Sequence, residues 1–382
     1  MVKGKDTSKI VEALVFLLIF LLIFIPLGNS MGLKNMLNTI MQTSYRLLID
    51  TCFFLMAICV ISGALGKLLV EFGVVDVLEK LLRPLMKPIF NLPGVAALGA
   101  VMTFLSDNPA IIALAKDRNF AQYFKKYQLV SLTNFGTAFG MGLIVIAFMA
   151  GKGYGAGALV GLFGAVCGCV VSTRLMQRFT LKSYPEYDAP VEFSEVMTED
   201  QIKMEEVKRE SIFIRALNSI LDGGKTGVDL GLAIVPGVLI ISTAVMIMTF
   251  GPNSEVGSYT GAAYEGVAIL PYLAGKISYV FEWLFGFSHP ELVAFPITAL
   301  GAVGAAIGLI PEFISQGFID DNAVAVCTAI GMCWSGFLST HTAMLDSLGY
   351  RHLISKAILA HTIGGLVAGI IAHFAWLLFA MI

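Results

Sequence analysis

Long stretches that are apolar on every face constrain this chain more than any other feature of its sequence. At ~1.5 Å per helical residue, each is long enough to cross the ~30 Å hydrocarbon layer of a bilayer. Seven such runs are predicted to span a membrane: 10–26, 47–70, 129–150, 154–176, 228–250, 322–344 and 354–381. Apolar residues make up 57% of the chain and charged residues 14%, whereas soluble domains are typically about 45–50% apolar and about 25% charged. The sequence therefore predicts a polytopic integral membrane protein.

The first apolar run resembles a secretory signal peptide because Lys3, Lys5 and Lys9 precede it. The segment Gly28-Asn29-Ser30 that follows is a poor cleavage site. We therefore expect an uncleaved N-terminal anchor over residues 1–28.

Two further apolar segments contain breaks instead of reading as continuous spans. Residues 94–115 contain Ser106-Asp107-Asn108-Pro109, and residues 291–317 contain Pro296, several glycines and then Ile310-Pro311-Glu312. Proline lacks the amide hydrogen, so it interrupts a helix or begins one. Both segments are predicted to be re-entrant hairpins that enter and leave the membrane on one side.

The distribution of basic residues supports two hairpins. With both hairpins and a cytoplasmic N-terminus, all but four of the 25 Lys and Arg residues lie inside, the exceptions being Lys34, Arg46, Lys152 and Lys276. Cytoplasmic loops are normally the positive ones. A cytoplasmic N-terminus and an external C-terminus follow as expectations.

The chain also contains an internal repeat. Residues 97–101 (Ala-Leu-Gly-Ala-Val) recur at 299–303, and at the same offset Pro109 falls on Pro311. Residues 137–141 are similarly matched by 328–332. Each half reads as a span, an amphipathic interfacial helix (73–90, then 264–285), a hairpin and two more spans. Because three crossings are an odd number, the second copy is inverted.

The sequence thus predicts an all-α polytopic protein of two inverted repeats, each with a re-entrant hairpin and an interfacial helix, with about seven spans and two hairpins in total. The expected units are the anchor (1–28), a first repeat (45–176), a polar cytoplasmic linker (177–226) and a second repeat (227–382). Inverted repeats with broken helices are typical of secondary transporters, although channels also use re-entrant segments.

Two short motifs, Leu82-Arg83-Pro84-Leu85 and Phe90-Asn91-Leu92-Pro93-Gly94-Val95-Ala96-Ala97, resemble the entry to a Gate, or nucleoside-recognition, domain. That domain occurs in spore maturation proteins A and B, in the bacterial ferrous-iron transporter and in concentrative nucleoside transporters. The resemblance covers roughly residues 47–176 and 228–381. It implies a bacterial source, hence a location in the inner cell membrane, and a homodimer or larger assembly. Nucleoside transporters of this kind hold base and ribose with carboxylate and amide groups on their hairpin tips, where this chain has Asp107, Asn108 and Glu312, but no further base- or ribose-binding motif matches.

Polar residues at and beside the breaks are the candidate site. Asp107, Asn108 and Glu312 also suit helix starts, where such residues cap free amides. Polar stripes follow each hairpin, although small polar residues in membrane helices often only join helices. The stripes comprise Thr133, Asn134 and Thr137, then Thr328, Ser335, Ser339, Thr340, His341 and Thr342. The predicted substrate-binding set is Asp107, Asn108, Asn134, Thr137, Glu312, Gln316, Thr328 and Ser335, with both tips expected near each other in one polar cavity.

No nucleotide-binding loop or catalytic triad appears in the sequence, and Cys167-x-Cys169 lacks the usual spacing of a structural metal site. We expect no enzyme activity, no metal or other cofactor, and H⁺ or Na⁺ as the coupling ion. The net charge of −2 gives no reason to expect a nucleic-acid partner. The leading function is a secondary transporter for a small polar solute, with a nucleoside as one candidate. A membrane scaffold or signalling protein and a passive pore are the alternatives.

Overall fold

The computed structural model describes residues 3–191, 211–253 and 256–381. Within these residues the chain folds into twenty α-helices, joined by loops and by short π and 3₁₀ turns. The first ten helices are α1 (Lys3–Met31), α2 (Leu33–Arg46), α3 (Phe53–Glu71), α4 (Val74–Leu85), α5 (Ala96–Leu105), α6 (Pro109–Lys116), α7 (Arg118–Ala121), α8 (Lys126–Thr137), α9 (Gly142–Gly151) and α10 (Gly155–Ser183). The other ten are α11 (Ile212–Gly237), α12 (Thr243–Ile247), α13 (Ile269–Gly275), α14 (Ser278–Phe285), α15 (Ala294–Ala299), α16 (Val303–Ile307), α17 (Ile310–Ser315), α18 (Asp321–Cys333), α19 (Phe337–Ser347) and α20 (Ile354–Phe379).

Seven helical segments of the described chain are long and apolar enough to cross a bilayer. They are Lys9–Met31, Leu33–Glu71, Lys126–Gly151, Gly155–Ser183, Ile212–Ile247, Asp321–Ser347 and Arg351–Phe379. The predicted all-α, polytopic fold with seven spans is therefore confirmed. The first span is longer than expected: α1 runs on to Met31, whose side chain is buried in a small cluster with Met36 of α2 and Ile247 of α12.

The first half follows the predicted order of elements. Helix α4 is amphipathic, and Arg83 on it donates two hydrogen bonds to the Glu79 carboxylate one turn earlier, at 2.9 and 3.0 Å. Helices α5 and α6 form the first hairpin, broken at Ser106–Asn108. The span that follows, α8 with α9, is also interrupted, and Met141 adopts a left-handed conformation (φ 56°) at that break.

The second half repeats this order: α13 and α14 precede a hairpin of α15 to α17, and α18 with α19 form a second interrupted span. Here Gly336 (φ 63°) occupies the left-handed position that Met141 holds in the first half. The break in the second hairpin lies earlier than expected. Helix α15 ends at Ala299, and the chain is extended at Ala302 (φ −165°, ψ 128°) before α16 begins. Pro311 starts α17 instead of marking the tip.

Two close helix crossings join the halves. A Cβ atom on Gly223 of α11 would lie 2.3 Å from the carbonyl oxygen of Gly63 on α3. A Cβ atom on Gly168 of α10 would lie 2.5 Å from the carbonyl oxygen of Gly364 on α20. Only glycine allows backbones to approach so closely, which is a common way for membrane helices to pack without a hydrophobic driving force between them.

The predicted linker at 177–226 is shorter in the structure, because α10 continues to Ser183 and α11 already begins at Ile212. The acidic stretch in its middle, residues 192–210, lies outside the described residues.

Candidate functional site

A cavity of about 390 Å³ lies where the two hairpin breaks meet the break between α18 and α19. Helix α11 closes one side with Leu230, Ala233, Ile234 and Gly237. The polar part of the lining comes from Asp107, Asn108, Ser335, Ser339, Thr340 and the backbone of residues 301–305. The chain thus brings three interrupted helical segments, from both repeats, to one cavity with polar groups at the breaks.

The first hairpin tip is anchored by Asn108. Its side-chain amide donates hydrogen bonds to the carbonyl oxygen of Ser335 and, at 3.1 Å, to Oγ1 of Thr340. Pro109 begins α6 directly after it, and proline suits this position because its fixed φ and missing N–H are tolerated in a first helical turn. On the other side, the hydroxyl of Ser106 caps α5 by donating to the Met102 carbonyl at 2.6 Å.

Two acceptor atoms at this tip have no donor from the protein. Oδ1 of Asp107 and Oδ1 of Asn108 are both buried without a hydrogen-bond partner. A buried acceptor left unpaired costs about 1–3 kcal/mol, so such atoms call for a donor from water or a ligand. Among the described residues that line the cavity, Asp107 alone carries a formal charge at neutral pH. The site is therefore suited to solutes that offer hydroxyl or amine donors.

The second hairpin contributes main chain instead of polar side chains. Residues 301–305 line the cavity, and Ser242 steadies this segment by donating to the Ala305 carbonyl at 2.8 Å. A Cβ on Gly304 would lie 3.2 Å from Ile234, so α16 packs closely on α11. The sequence analysis missed this contribution, although the duplicated 299–303 motif lies at the break.

Glu312 and Gln316 lie in a different cavity, of about 330 Å³, together with Tyr264, Glu265 and Glu291. Gln316 donates to the Glu312 carboxylate at 2.7 Å. Burial, and the nearby charge of Glu312, raise the pKa of Tyr264 to about 12.

The two cavities contact different parts of one span, because Gly237 lines the first and Thr249 lines the second. Thr249 follows Gly237 by twelve positions, across a π-helical turn and α12 (Thr243–Ile247), and at roughly 1.5 Å per helical residue the two lie on the order of 15 Å apart along the span. The expectation that both tips share one cavity is therefore wrong for Glu312 and Gln316.

Asn134, Thr137 and Thr328 are fully buried between helices, away from the cavity. Asn134 donates to Oγ of Ser172 at 3.0 Å and to the Ala357 carbonyl at 2.9 Å, which links α8 to α10 and α20. Thr137 donates within its own helix at 2.7 Å. Thr328 packs against α10, where a Cβ on Gly161 would lie 2.6 Å from it. In this structure Asn134 joins helices, Thr137 bonds within α8 and Thr328 packs on α10. Of the second polar stripe, Ser335, Ser339 and Thr340 reach the cavity.

A second space of about 200 Å³ lies along α3 and α11. Leu230 lines both this space and the cavity. Lys67, Ser106 and Thr226 also line the second space.

Comparison with known proteins agrees with this architecture. Residues 11–153 match the family model described as Gate, nucleoside recognition. An uncharacterized protein of Alkalihalophilus pseudofirmus is 34% identical over 90 residues, which are 23% of this chain and 19% of that relative.

The solved structures of CNTnw resemble the whole chain. In an inward-facing, substrate-bound state CNTnw has a TM-score of 0.53 at 14% identity, over 84% of this chain and 74% of its own. One CNTnw variant in an outward-facing state has a TM-score of 0.54 at 15% identity, over 85% of this chain and 75% of its own. A second outward-facing variant has a TM-score of 0.52 at 14% identity, over 99% of this chain and 88% of its own. At such low identity the likeness establishes the fold alone. The chain is thus a multi-pass membrane protein with a Gate match in its first half and the fold of the concentrative nucleoside transporter CNTnw across both halves.

Proposed function

We propose that this protein is a secondary transporter for a small, uncharged or cationic polar solute, with nucleosides as the leading class. The observation that carries the proposal is the pair of unpartnered acceptors, on Asp107 and Asn108, at a hairpin tip beside a cavity between the two repeats. Ribose hydroxyls and base amino groups are donors of the kind these oxygens lack. The CNTnw fold and the Gate match support a transporter of this type.

Transport would proceed by movement of the broken segments around the cavity. Hydrogen bonds from Asn108 tie the first hairpin tip to the break at Ser335 and to Thr340 on α19. Movement of one of these elements therefore displaces the others. The solute would pass through the second space along α3, and Leu230, which lines both that space and the cavity, would act as the gate.

The same proposal covers the membrane topology, the oligomeric state and the coupling ion. The predominance of basic residues on one side supports a cytoplasmic N-terminus and an external C-terminus in a bacterial cell membrane. A homodimer or larger assembly is proposed from the Gate resemblance, and H⁺ or Na⁺ would drive uptake.

Thermal-shift measurements on the purified full chain test the substrate class. Uridine, adenosine, free ribose and amino acids would each be added, because a ligand that binds only the native state raises its stability by mass action. A nucleoside is expected to raise the melting temperature, and the same nucleoside to accumulate in proteoliposomes.

Two matched carboxylate variants locate the site. Asp107→Asn removes an acceptor charge in the cavity, and hydrogen bonds to charged groups contribute about 1.5–3 kcal/mol, so affinity should fall about tenfold or more. Glu312→Gln makes the same chemical change in the other cavity and should leave affinity unchanged. If only the Glu312 variant lost binding, the solute site would lie in the cavity that contains Glu312 and not in the one that contains Asp107. Absence of binding and uptake for all solutes would favour the scaffold reading.

A further inference from the structure

An apolar cavity of about 450 Å³ lies between helix α4 and the first hairpin. It shares no lining residue with the polar cavity that contains Asp107. All the described residues that line it carry apolar side chains, and they come from α3, α4, α5, α8, α9, α10 and the turns next to them. Such a lining offers water no hydrogen-bond partner, so the cavity suits an apolar ligand.

This apolar cavity opens on a surface that a bilayer covers. Three of its lining side chains are exposed: Leu65 of α3 by 46%, Leu85 of α4 by 44% and Ile89 by 37%. Helix α3 belongs to a membrane span, and α4 is an amphipathic helix of the kind that lies along the membrane interface. An apolar ligand can therefore enter from the side, out of the hydrocarbon layer.

The depth of the apolar cavity matches one leaflet of a membrane. Leu162 and Val166 of α10 line the cavity, whereas Arg174 of the same helix contacts the backbone at its opening. Val166 and Leu162 precede Arg174 by eight and twelve residues, which correspond to rises of about 12 and about 18 Å. Half of a ~30 Å hydrocarbon layer is about 15 Å. One acyl chain of a phospholipid therefore has the length to fill the cavity.

Two cationic side chains lie at the opening. Lys87 is exposed and stands between Met86 and Ile89, which both line the cavity. The guanidinium of Arg174 donates to the Ile89 and Pro88 carbonyls at 2.9 and 2.7 Å, which leaves its other N–H groups for a further acceptor. Within the described chain, neither cation takes part in an ion pair. Their charges are therefore available to an anionic group.

We propose that this cavity binds one acyl chain of an anionic phospholipid, whose phosphate contacts Lys87 and Arg174. Basic groups beside a pocket between membrane helices suit anionic lipid headgroups, and the guanidinium fork of arginine matches the geometry of phosphate. A zwitterionic phospholipid supplies the same chain without a net negative charge. The two cations therefore select the anionic class.

A chain bound in this cavity also supports the first hairpin. Phe104 and Leu105 end α5 and line the cavity, and the break at Ser106 follows them directly. The lipid thus packs against the segment that leads to the hairpin tip. The proposal concerns binding of lipid and does not depend on which solute the protein carries.

Native mass spectrometry of the delipidated full chain tests the headgroup contacts. Phosphatidylglycerol and phosphatidylethanolamine with identical acyl chains are titrated separately. One phosphatidylglycerol should bind about tenfold or more tightly than phosphatidylethanolamine, and Lys87→Gln combined with Arg174→Gln should remove this preference. Lys116→Gln combined with Lys225→Gln removes two exposed lysines that do not line the cavity, and should keep it. Equal affinity of the wild type for both lipids, or an unchanged preference in the Lys87 and Arg174 variant, would overturn the proposal.

A matched pair of tryptophan substitutions tests the chain contacts. Leu162 lines the cavity, whereas Leu159, about one turn earlier on α10, is 61% exposed and does not. Leu162→Trp should displace at least two methylenes of the chain and weaken phosphatidylglycerol binding about tenfold, and Leu159→Trp should leave it unchanged. Melting temperature in lipid-free detergent shows that each variant folds, and Ala100→Leu fills the cavity from α5 if Leu162→Trp does not.

Equal lipid binding by the variant that fills the cavity and by Leu159→Trp would refute an acyl chain in the cavity. Loss of a dimer mass in the filled variant, with lipid binding unchanged, would assign the cavity to a second copy of the chain and would also overturn the proposal.

Discussion

Replacing Gly223 by alanine should separate the helices that join the two halves, whereas the same change at the next residue should not. A Cβ at Gly223 would lie 2.3 Å from the Gly63 carbonyl oxygen. Ordinary van der Waals contact begins at 3.4 Å, so α3 and α11 would have to part by about 1 Å. Overpacking of this kind costs about 1–3 kcal/mol. A Cβ at Gly224 would meet only Val60, at an ordinary 3.6 Å.

The neighbouring position supplies the control because both changes alter helix propensity equally. Replacing glycine by alanine inside a helix stabilises it by roughly 0.5–1 kcal/mol. Gly224→Ala should therefore raise the free energy of unfolding by about that amount, and Gly223→Ala should lie about 1–3 kcal/mol below Gly224→Ala.

The assay is reversible unfolding of the full chain in mixed micelles, followed by tryptophan fluorescence and repeated for wild type and both variants. Equal effects of the two changes, or a more stable Gly223→Ala, would show that the crossing is not as close as 2.3 Å implies.

Three further outcomes follow from the same structure. Leu230→Ala should raise the leak of solute from proteoliposomes in the absence of a gradient, since this side chain lines both the cavity and the second space and is the proposed gate; an unchanged leak would remove it as a gate. Glu265→Gln should lower the free energy of unfolding by about 1.5–3 kcal/mol, as measured by the unfolding midpoint. The reason is that Glu265 is 3% exposed and its carboxylate accepts hydrogen bonds from Thr260 and Gly261. Reporters inserted at 184–191 and at 256–264 should report opposite sides of the membrane, cytoplasmic and external respectively, because α11 and α12 form one crossing between them; the same side for both would contradict the inverted repeat.

The sequence predicted the fold well because its strongest signals are physical requirements of the bilayer. Apolar length fixed the seven spans, and Pro109 marked the first hairpin break within a residue. The second break was misplaced because the match of residues 97–101 to 299–303 was extended without a gap. In the structure that motif lies inside α5 in the first half and at the tip in the second. Small residues satisfy both roles, so their identity could not distinguish a packed helix from an exposed turn.

The candidate site was predicted only in part, for a related reason. Asp107 and Asn108 were identifiable because a carboxylate and an amide beside a proline are unusual at membrane depth. Asn134 carries an equally polar side chain, yet its two hydrogen bonds join helices. A helical sequence shows which residues share a face but not whether that face meets another helix or a cavity. That distinction depends on tertiary contacts between the halves.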